Sequence, residues 1–173
     1  MGYTHYWALD PDAAGVDEGF AGTAADAARI IAAAGIPLTS DPDRPTQPPE
    51  VTSEVIWLNG IGEDGHEPLV LRRHPAAAAT AWQAQQAAEL GYWWDSCKTN
   101  WKPYDLVVCA ILIRAHHHLP DALVFDSDGR WDDPSWRDAQ HLIARVFGPD
   151  AVPVQDPMRD TINTGPPSIV RHL

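Results

Sequence analysis

The sequence predicts an α+β fold in which an antiparallel sheet of about four strands carries packed helices. Segments of strand composition alternate with longer segments of helical periodicity, in the order strand, helix, strand, strand, helix, helix, strand, helix. The chain has 173 residues, of which 45% are hydrophobic, and this is enough for one core without disulfides. Without two of the four helices the order is β-α-β-β-α-β, which fits a ferredoxin-like arrangement with extra helices.

The first predicted elements are a strand, a helix and a long connection. Residues 2–9 are rich in aromatic residues and threonine, and alternation places His5 on one face of this strand and Tyr6 on the other. Residues 17–34 carry an apolar stripe at helical spacing and end before a glycine. Residues 37–52 contain many prolines and little hydrophobicity, so we expect an extended surface loop there.

A hairpin is predicted next, with strands over residues 54–59 and 67–73. The glycines at 60, 62 and 65 between them formally match a dinucleotide-binding GxGxxG pattern. That pattern needs a following helix whose N-terminus holds the phosphates, whereas here a second strand follows. The glycines are therefore predicted to form the hairpin loop.

The second half is predicted to contain a helix over residues 75–90, an aromatic loop over 92–101, a helix over 103–118, a short strand over 122–125 and a helix over 134–147. Residues 106–113 are apolar on all sides, which favours a buried central helix, with a buried strand as the alternative. We expect one domain over residues 1–148, followed by a proline-rich irregular tail over 149–173.

Composition excludes several classes of partner. The 24 acidic residues outnumber the 12 basic ones and give a net charge of −12, which disfavours nucleic-acid binding. No apolar run is long enough for a membrane span and no signal peptide opens the chain, so a cytoplasmic location and free thiols are expected.

Consecutive histidines at 116–118 point about 100° apart on a helix and cannot face one ion together. Neither a metal nor a cofactor is expected.

The only two lysines, Lys98 and Lys102, lie beside Cys97 and shortly before the predicted central helix. Free backbone N–H groups and two ammonium groups make this loop a local positive site in an acidic protein. It is therefore a candidate site for an anion or a phosphate. The alternative is a structured loop in which the lysines only form surface ion pairs.

We expect a small anionic ligand, such as a nucleotide, to be bound by lysines, aromatic rings and hydrogen-bonding side chains. His5 and His66 are additional hydrogen-bonding candidates. The predicted ligand-binding residues are Lys98, Lys102, Tyr6, Asn59, Trp93, Trp94, Trp101 and Tyr104.

Two other functions are compatible with the sequence. In a cysteine-dependent enzyme, Cys97 would be the nucleophile and His5 or His66 its base. The lysines predict a lowered pKa and a higher reactivity for Cys97 than for Cys109, but no histidine is near Cys97 in sequence to serve as its base. Alternatively, the chain is an acidic module that binds a basic protein partner.

Four segments also resemble one family. They are GYTHYW at residues 2–7, an NGxGxxxHE pattern at 59–67, CKTxxKPYD at 97–105 and SDG at 127–129. The chain is similar in these segments to an uncharacterised family of small phage and bacterial proteins. The resemblance implies a phage-type accessory protein, with a site built from the first strand, the hairpin turn and the CKT loop. It implies no particular activity.

Overall fold

A computed structural model describes residues 2–158 of the chain and has the α+β architecture expected from the sequence. The strands are β1 Thr4–Leu9, β2 Leu38–Thr39, β3 Glu50–Val51, β4 Val55–Gly60, β5 Leu69–Arg72, β6 Trp93–Lys98 and β7 Leu123–Ser127. The helices are α1 Val16–Ala34, α2 Ala81–Leu90, α3 Asp105–His118 and α4 Pro134–Phe147. Most of the predicted irregular tail lies outside the described residues.

The strands form two sheets rather than the single sheet of about four strands. In the first sheet, β1 is central and pairs antiparallel with β6 on one side and β7 on the other. In the second sheet, β4 pairs antiparallel with β2, β3 and β5. The β4–β5 pairing confirms the predicted hairpin. Because this hairpin does not pair with β1, the ferredoxin-like arrangement is not formed.

Strand β6 corrects the prediction of an aromatic loop over residues 92–101. The segment pairs with β1 along its whole length, and Cys97 lies directly opposite His5. Aromatic residues are common in strands as well as in loops, and here the backbone hydrogen bonds of β1 decide between the two. As a result, neighbouring side chains of this segment point to opposite faces of the sheet.

Helix α3 is the centre of the core, as its continuous apolar segment predicts. Its residues from Val107 to Ile113 are buried, and it packs between α1 and α4. A buried ion pair also joins α3 to α1, with Arg114 Nε 2.7 Å and His118 Nε2 2.8 Å from the Asp26 carboxylate. His116 instead contacts the carbonyl oxygen of Leu123, so these histidines do not face one point.

Helix α2 begins six residues later than predicted, at Ala81. Pro75 opens a short 3₁₀ turn instead, and a capping box between Thr80 and Gln83 then starts the helix. Within residues 2–158, no helix combines the length and the apolar character that a membrane span requires.

Candidate functional site

A cluster of buried polar side chains lies between β1 and the start of α3. His5 points inward from the central strand, is fully buried, and makes hydrogen bonds through both ring nitrogens. Its Nε2 is 2.7 Å from Asp105 Oδ1, and its Nδ1 is 3.0 Å from Ser127 Oγ. Thr99 Oγ1 donates to the same Asp105 oxygen at 2.5 Å. The central strand β1, strand β7 and the N-terminus of α3 therefore meet at one histidine.

The carboxylate of Asp105 remains charged inside the protein. Burial alone would raise the pKa of Asp105, but the hydrogen bond and charge of His5 and the Thr99 hydroxyl outweigh burial and lower it. Asp105 is also the first residue of α3, where the helix dipole favours a negative charge. The lowered pKa of Asp105 thus favours its carboxylate form in the core.

Cys109 completes this group from the next turn of α3. Its Sγ is 3.7 Å from His5 Nε2 and 3.9 Å from Asp105 Oδ2. Burial strongly raises the pKa of the Cys109 thiol, and the neighbouring Asp105 charge raises it further. One ligand-type atom from each of these three residues lies within 4.8 Å of the others. We call His5, Asp105 and Cys109 the buried triad.

Aromatic rings enclose the buried triad. The edges of Tyr3 and Trp136 meet the His5 ring at centroid distances of 5.0 and 5.3 Å, both with perpendicular planes. The Tyr3 hydroxyl is buried against Gly129 and makes no hydrogen bond of normal geometry, although Ser127 is near enough to lower its pKa. Burial is the larger effect, so the Tyr3 pKa is raised overall. These contacts fix the orientation of the imidazole.

The order Ser127, His5, Asp105 is the order of side chains in a serine hydrolase triad. In the tautomer that donates from Nε2 to Asp105, His5 Nδ1 accepts a hydrogen bond from the Ser127 hydroxyl. However, Ser127 opens onto a cavity whose lining includes the acidic residues Asp126, Asp128, Asp132 and Asp156. An oxyanion developing there would face negative charge, so this geometry does not favour nucleophilic catalysis at Ser127.

Cys97 is not the reactive thiolate that the sequence predicts. It lies opposite His5 in the sheet, but its thiol donates to the carbonyl oxygen of Glu67 at 3.2 Å. Burial raises the pKa of Cys97 far above its usual value, so the expected lowering of the pKa is wrong. His5 already uses both ring nitrogens for Asp105 and Ser127 and offers Cys97 no free base.

Three predicted ligand-binding residues share the opposite face of the three-stranded sheet. The rings of Tyr6 and Trp94 stack with centroids 6.1 Å apart and planes 23° apart. Lys98 lies two pleats along β6 from Trp94 and pairs with Thr4. All of these side chains are half-buried. We call Tyr6, Trp94 and Lys98 the outer-face patch.

Three other predicted ligand-binding residues, together with the additional candidate His66, lie elsewhere and make structural hydrogen bonds. Asn59 holds the hairpin loop closed, because its amide donates to the His66 carbonyl and its oxygen accepts from the His66 N–H. Lys102 Nζ donates to the carbonyl oxygen of Glu63 at 2.6 Å. The hydroxyl of Tyr104 donates to the carbonyl oxygen of Glu67 at 2.5 Å. The structure does not bring these residues to the outer-face patch.

The two remaining tryptophans are not part of the patch. Trp93 alternates with Trp94 along β6 and lines a small cavity, which Trp7 and Trp94 also line. Trp101 is 57% exposed and stacks on Tyr3 at a centroid distance of 4.8 Å. Asn100 and Trp101 both have positive φ angles, of 52° and 57°, which non-glycine residues rarely adopt. The backbone is therefore strained at the position where the Trp101 indole lies exposed at the surface.

The first strand, the hairpin turn and the CKT segment are in direct contact. Glu67 N–H donates to the Lys98 carbonyl, and the Glu67 carboxylate accepts from the Lys98 N–H. Asn100 N–H donates to the Tyr3 carbonyl. The buried triad that these segments enclose was missed from the sequence. The spacing of Asp105 and Cys109 by four residues shows only that both face one side of a helix.

Comparison with known proteins gives no match: no family model matches the chain, and no curated protein or solved structure matches it significantly.

Proposed function

We propose that this protein binds a small anionic ligand that carries a flat ring, such as a nucleotide, on the outer-face patch. The observation that carries the proposal is the stacked pair Tyr6 and Trp94 on the same sheet face as Lys98. Half-buried aromatic rings give a ring-shaped ligand an apolar platform. The ammonium group of Lys98 offers a point charge for a phosphate.

Neighbouring polar groups support the position of this platform. Asp128 accepts from the Tyr6 hydroxyl at 3.0 Å with one oxygen and from the Thr4 N–H at 2.9 Å with the other. These bonds restrict the rotation of Tyr6 before a ligand arrives, which lowers the entropy cost of binding. The Asp128 carboxylate also favours a ligand with hydroxyl donors, such as a ribose, beside the phosphate.

Net charge supports a small ligand rather than a nucleic acid. At a net charge of −12, a long polyanion would be repelled by the rest of the surface, while a mononucleotide contacts only the patch. The resemblance to phage and bacterial proteins is compatible with an accessory role but adds no activity. The alternative of an acidic module that binds a basic protein rests on the net charge alone.

The proposal is tested by calorimetric titration of the purified protein with ATP and with inorganic tripolyphosphate. Lys98→Ala should weaken the binding of both by about tenfold or more, because a hydrogen bond to a charged group is lost. Trp94→Leu should weaken ATP alone, because tripolyphosphate has no ring to stack. Lys102→Ala is the matched control and should change neither affinity, since Lys102 bonds to Glu63.

Equal ATP affinity in the wild type and in Lys98→Ala would contradict the proposal, and so would equal losses in Lys98→Ala and Lys102→Ala. Failure of the wild type to bind either compound at millimolar concentration would also contradict it.

A further inference from the structure

We infer that the buried triad of His5, Asp105 and Cys109 is a binding site for a transition-metal dication, with Zn²⁺ the best fit. This inference goes beyond the proposed ligand site, which lies on the other face of the sheet. An imidazole, a carboxylate and a thiol are the ligand types that Zn²⁺ takes in proteins. All three are buried and come from two different elements, β1 and α3.

The two distances from Cys109 Sγ fit one tetrahedral ion. Bond lengths of ~2.3 Å to sulfur and ~2.1 Å to nitrogen or oxygen, at a tetrahedral angle, place sulfur ~3.6 Å from each of the other two ligand atoms. The observed separations are 3.7 Å from Cys109 Sγ to His5 Nε2 and 3.9 Å to Asp105 Oδ2. Coordination would also replace the 2.7 Å hydrogen bond between His5 Nε2 and Asp105 Oδ1, because two nitrogen or oxygen ligands of one tetrahedral ion lie ~3.4 Å apart.

Ser127 and Thr99 make hydrogen bonds to the proposed ligands of the kind that surround bound metal ions. Ser127 Oγ is 3.0 Å from His5 Nδ1 and can accept its hydrogen bond, which leaves Nε2 for the metal. Thr99 donates to Asp105 Oδ1, so Oδ2 remains for coordination. Metal-bound histidines and carboxylates usually have such partners, which fix their orientation.

A dication would change the charge balance of the buried triad. Without a metal the Cys109 thiol lies 3.9 Å from Asp105 Oδ2 and keeps its proton, because a thiolate there would add a second negative charge without a partner. A dication replaces the Cys109 proton and neutralises both groups. In the process Cys109 releases one proton, and His5 coordinates through Nε2 as a neutral imidazole with its hydrogen on Nδ1. Starting from a neutral His5, binding takes up one dication and releases one proton; starting from a protonated His5, it releases two.

The experiment uses the full chain, unfolded with chelator and refolded with one equivalent of Co²⁺, because the buried site is closed in the folded protein. We expect a thiolate-to-cobalt charge-transfer band at one ion per chain. Cys109→Ser should abolish the band, and Cys97→Ser, the matched control, should keep it, because Cys97 bonds to Glu67. Zn²⁺ should raise the melting temperature of the wild type and of Cys97→Ser, but not of Cys109→Ser.

Absence of the band in refolded wild-type protein would overturn the inference, as would a band that survives in Cys109→Ser or disappears in Cys97→Ser. If Cys109→Ser does not fold, Cys109→Ala, which keeps the core apolar, is used in its place. Circular dichroism confirms the folding of each variant. A wild type that melts at the same temperature with Zn²⁺ and with chelator would also overturn it. Titration with ATP tests the proposed function separately, since the outer-face patch does not include His5, Asp105 or Cys109.

Discussion

The two faces of the three-stranded sheet differ in what their polar residues do. On the inner face His5 is fully buried, and both of its ring nitrogens have partners. On the outer face Tyr6, the next residue along the same strand, is half-buried and stacks on Trp94. Of these two neighbouring residues, His5 therefore belongs to a buried hydrogen-bond network and Tyr6 to a candidate binding surface. Substitutions on the inner face should change stability, and those on the outer face should change the binding of the anionic ligand.

The same alternation divides the CKT segment. Cys97 points inward to the Glu67 carbonyl, while Lys98 lies on the outer face with Thr4. The lysine is consequently not positioned to stabilise a Cys97 thiolate, although the two residues are adjacent in sequence. Adjacent strand residues face opposite sides of a sheet, so a charge next to a thiol in sequence need not be next to it in space.

The largest loss of stability is expected for a substitution of Asp105, which bonds to His5 on the inner face of the sheet. In metal-free protein Asp105→Ala removes the charge that His5 and Thr99 contact, and loss of one partner from a buried polar group of this kind costs about 3–5 kcal/mol. Urea denaturation followed by circular dichroism measures the change. A loss below ~1 kcal/mol would show that the inner face does not depend on this carboxylate.

A smaller effect is expected at Gly129, where a methyl group would overlap the buried Tyr3 hydroxyl. Overpacking of this kind costs about 1–3 kcal/mol, so Gly129→Ala should unfold at lower urea concentration. Tyr3→Phe removes the oxygen that the methyl group meets. In the Tyr3→Phe background the same glycine substitution should therefore cost less, and equal costs in both backgrounds would show that overlap with the hydroxyl contributes nothing to the loss.

The α1–α3 ion pair predicts a pH dependence of stability. Burial alone would raise the pKa of Asp26, but the hydrogen bonds of His118 and Arg114 and their charges outweigh burial and lower it. A carboxyl whose pKa is lower in the folded state stabilises the protein above its unfolded pKa, near 3.9. That stabilisation is lost as the pH falls from about 4 through the lower folded-state pKa.

Urea midpoints measured between pH 7 and pH 2 test this dependence. Wild type should lose stability across the acidic part of this range more steeply than Asp26→Asn, which cannot titrate at this position. Parallel curves for the two proteins would show that Asp26 contributes nothing to acid sensitivity. Asp132→Asn is a suitable control, because Asp132 is exposed.

The smallest effect on stability is expected on the outer face. Lys98→Ala removes a half-buried charge, and such surface charges contribute about 0–1 kcal/mol, so the urea midpoint should stay nearly unchanged. ATP affinity should fall in the same variant. A variant that unfolds more easily and binds ATP normally would reverse the assignment of functions to the two faces.

The sequence by itself determined the helices and the hairpin, because their signals are local. Residues 106–113 are apolar on every side, and only a central position buries such a helix completely. Alternation in the first strand also placed His5 and Tyr6 on opposite faces. In each case the residues that carry the signal lie within one or two turns or pleats of each other.

Only the tertiary structure decided that residues 93–98 form a strand and that His5 is part of a buried triad. An aromatic segment suits a loop or a strand equally, and its pairing depends on β1, almost ninety residues earlier in the chain. His5 lies 100 residues from Asp105 and 122 from Ser127 in sequence. Contacts at such separations leave no periodic pattern, since they arise when packing of the apolar core brings distant elements together.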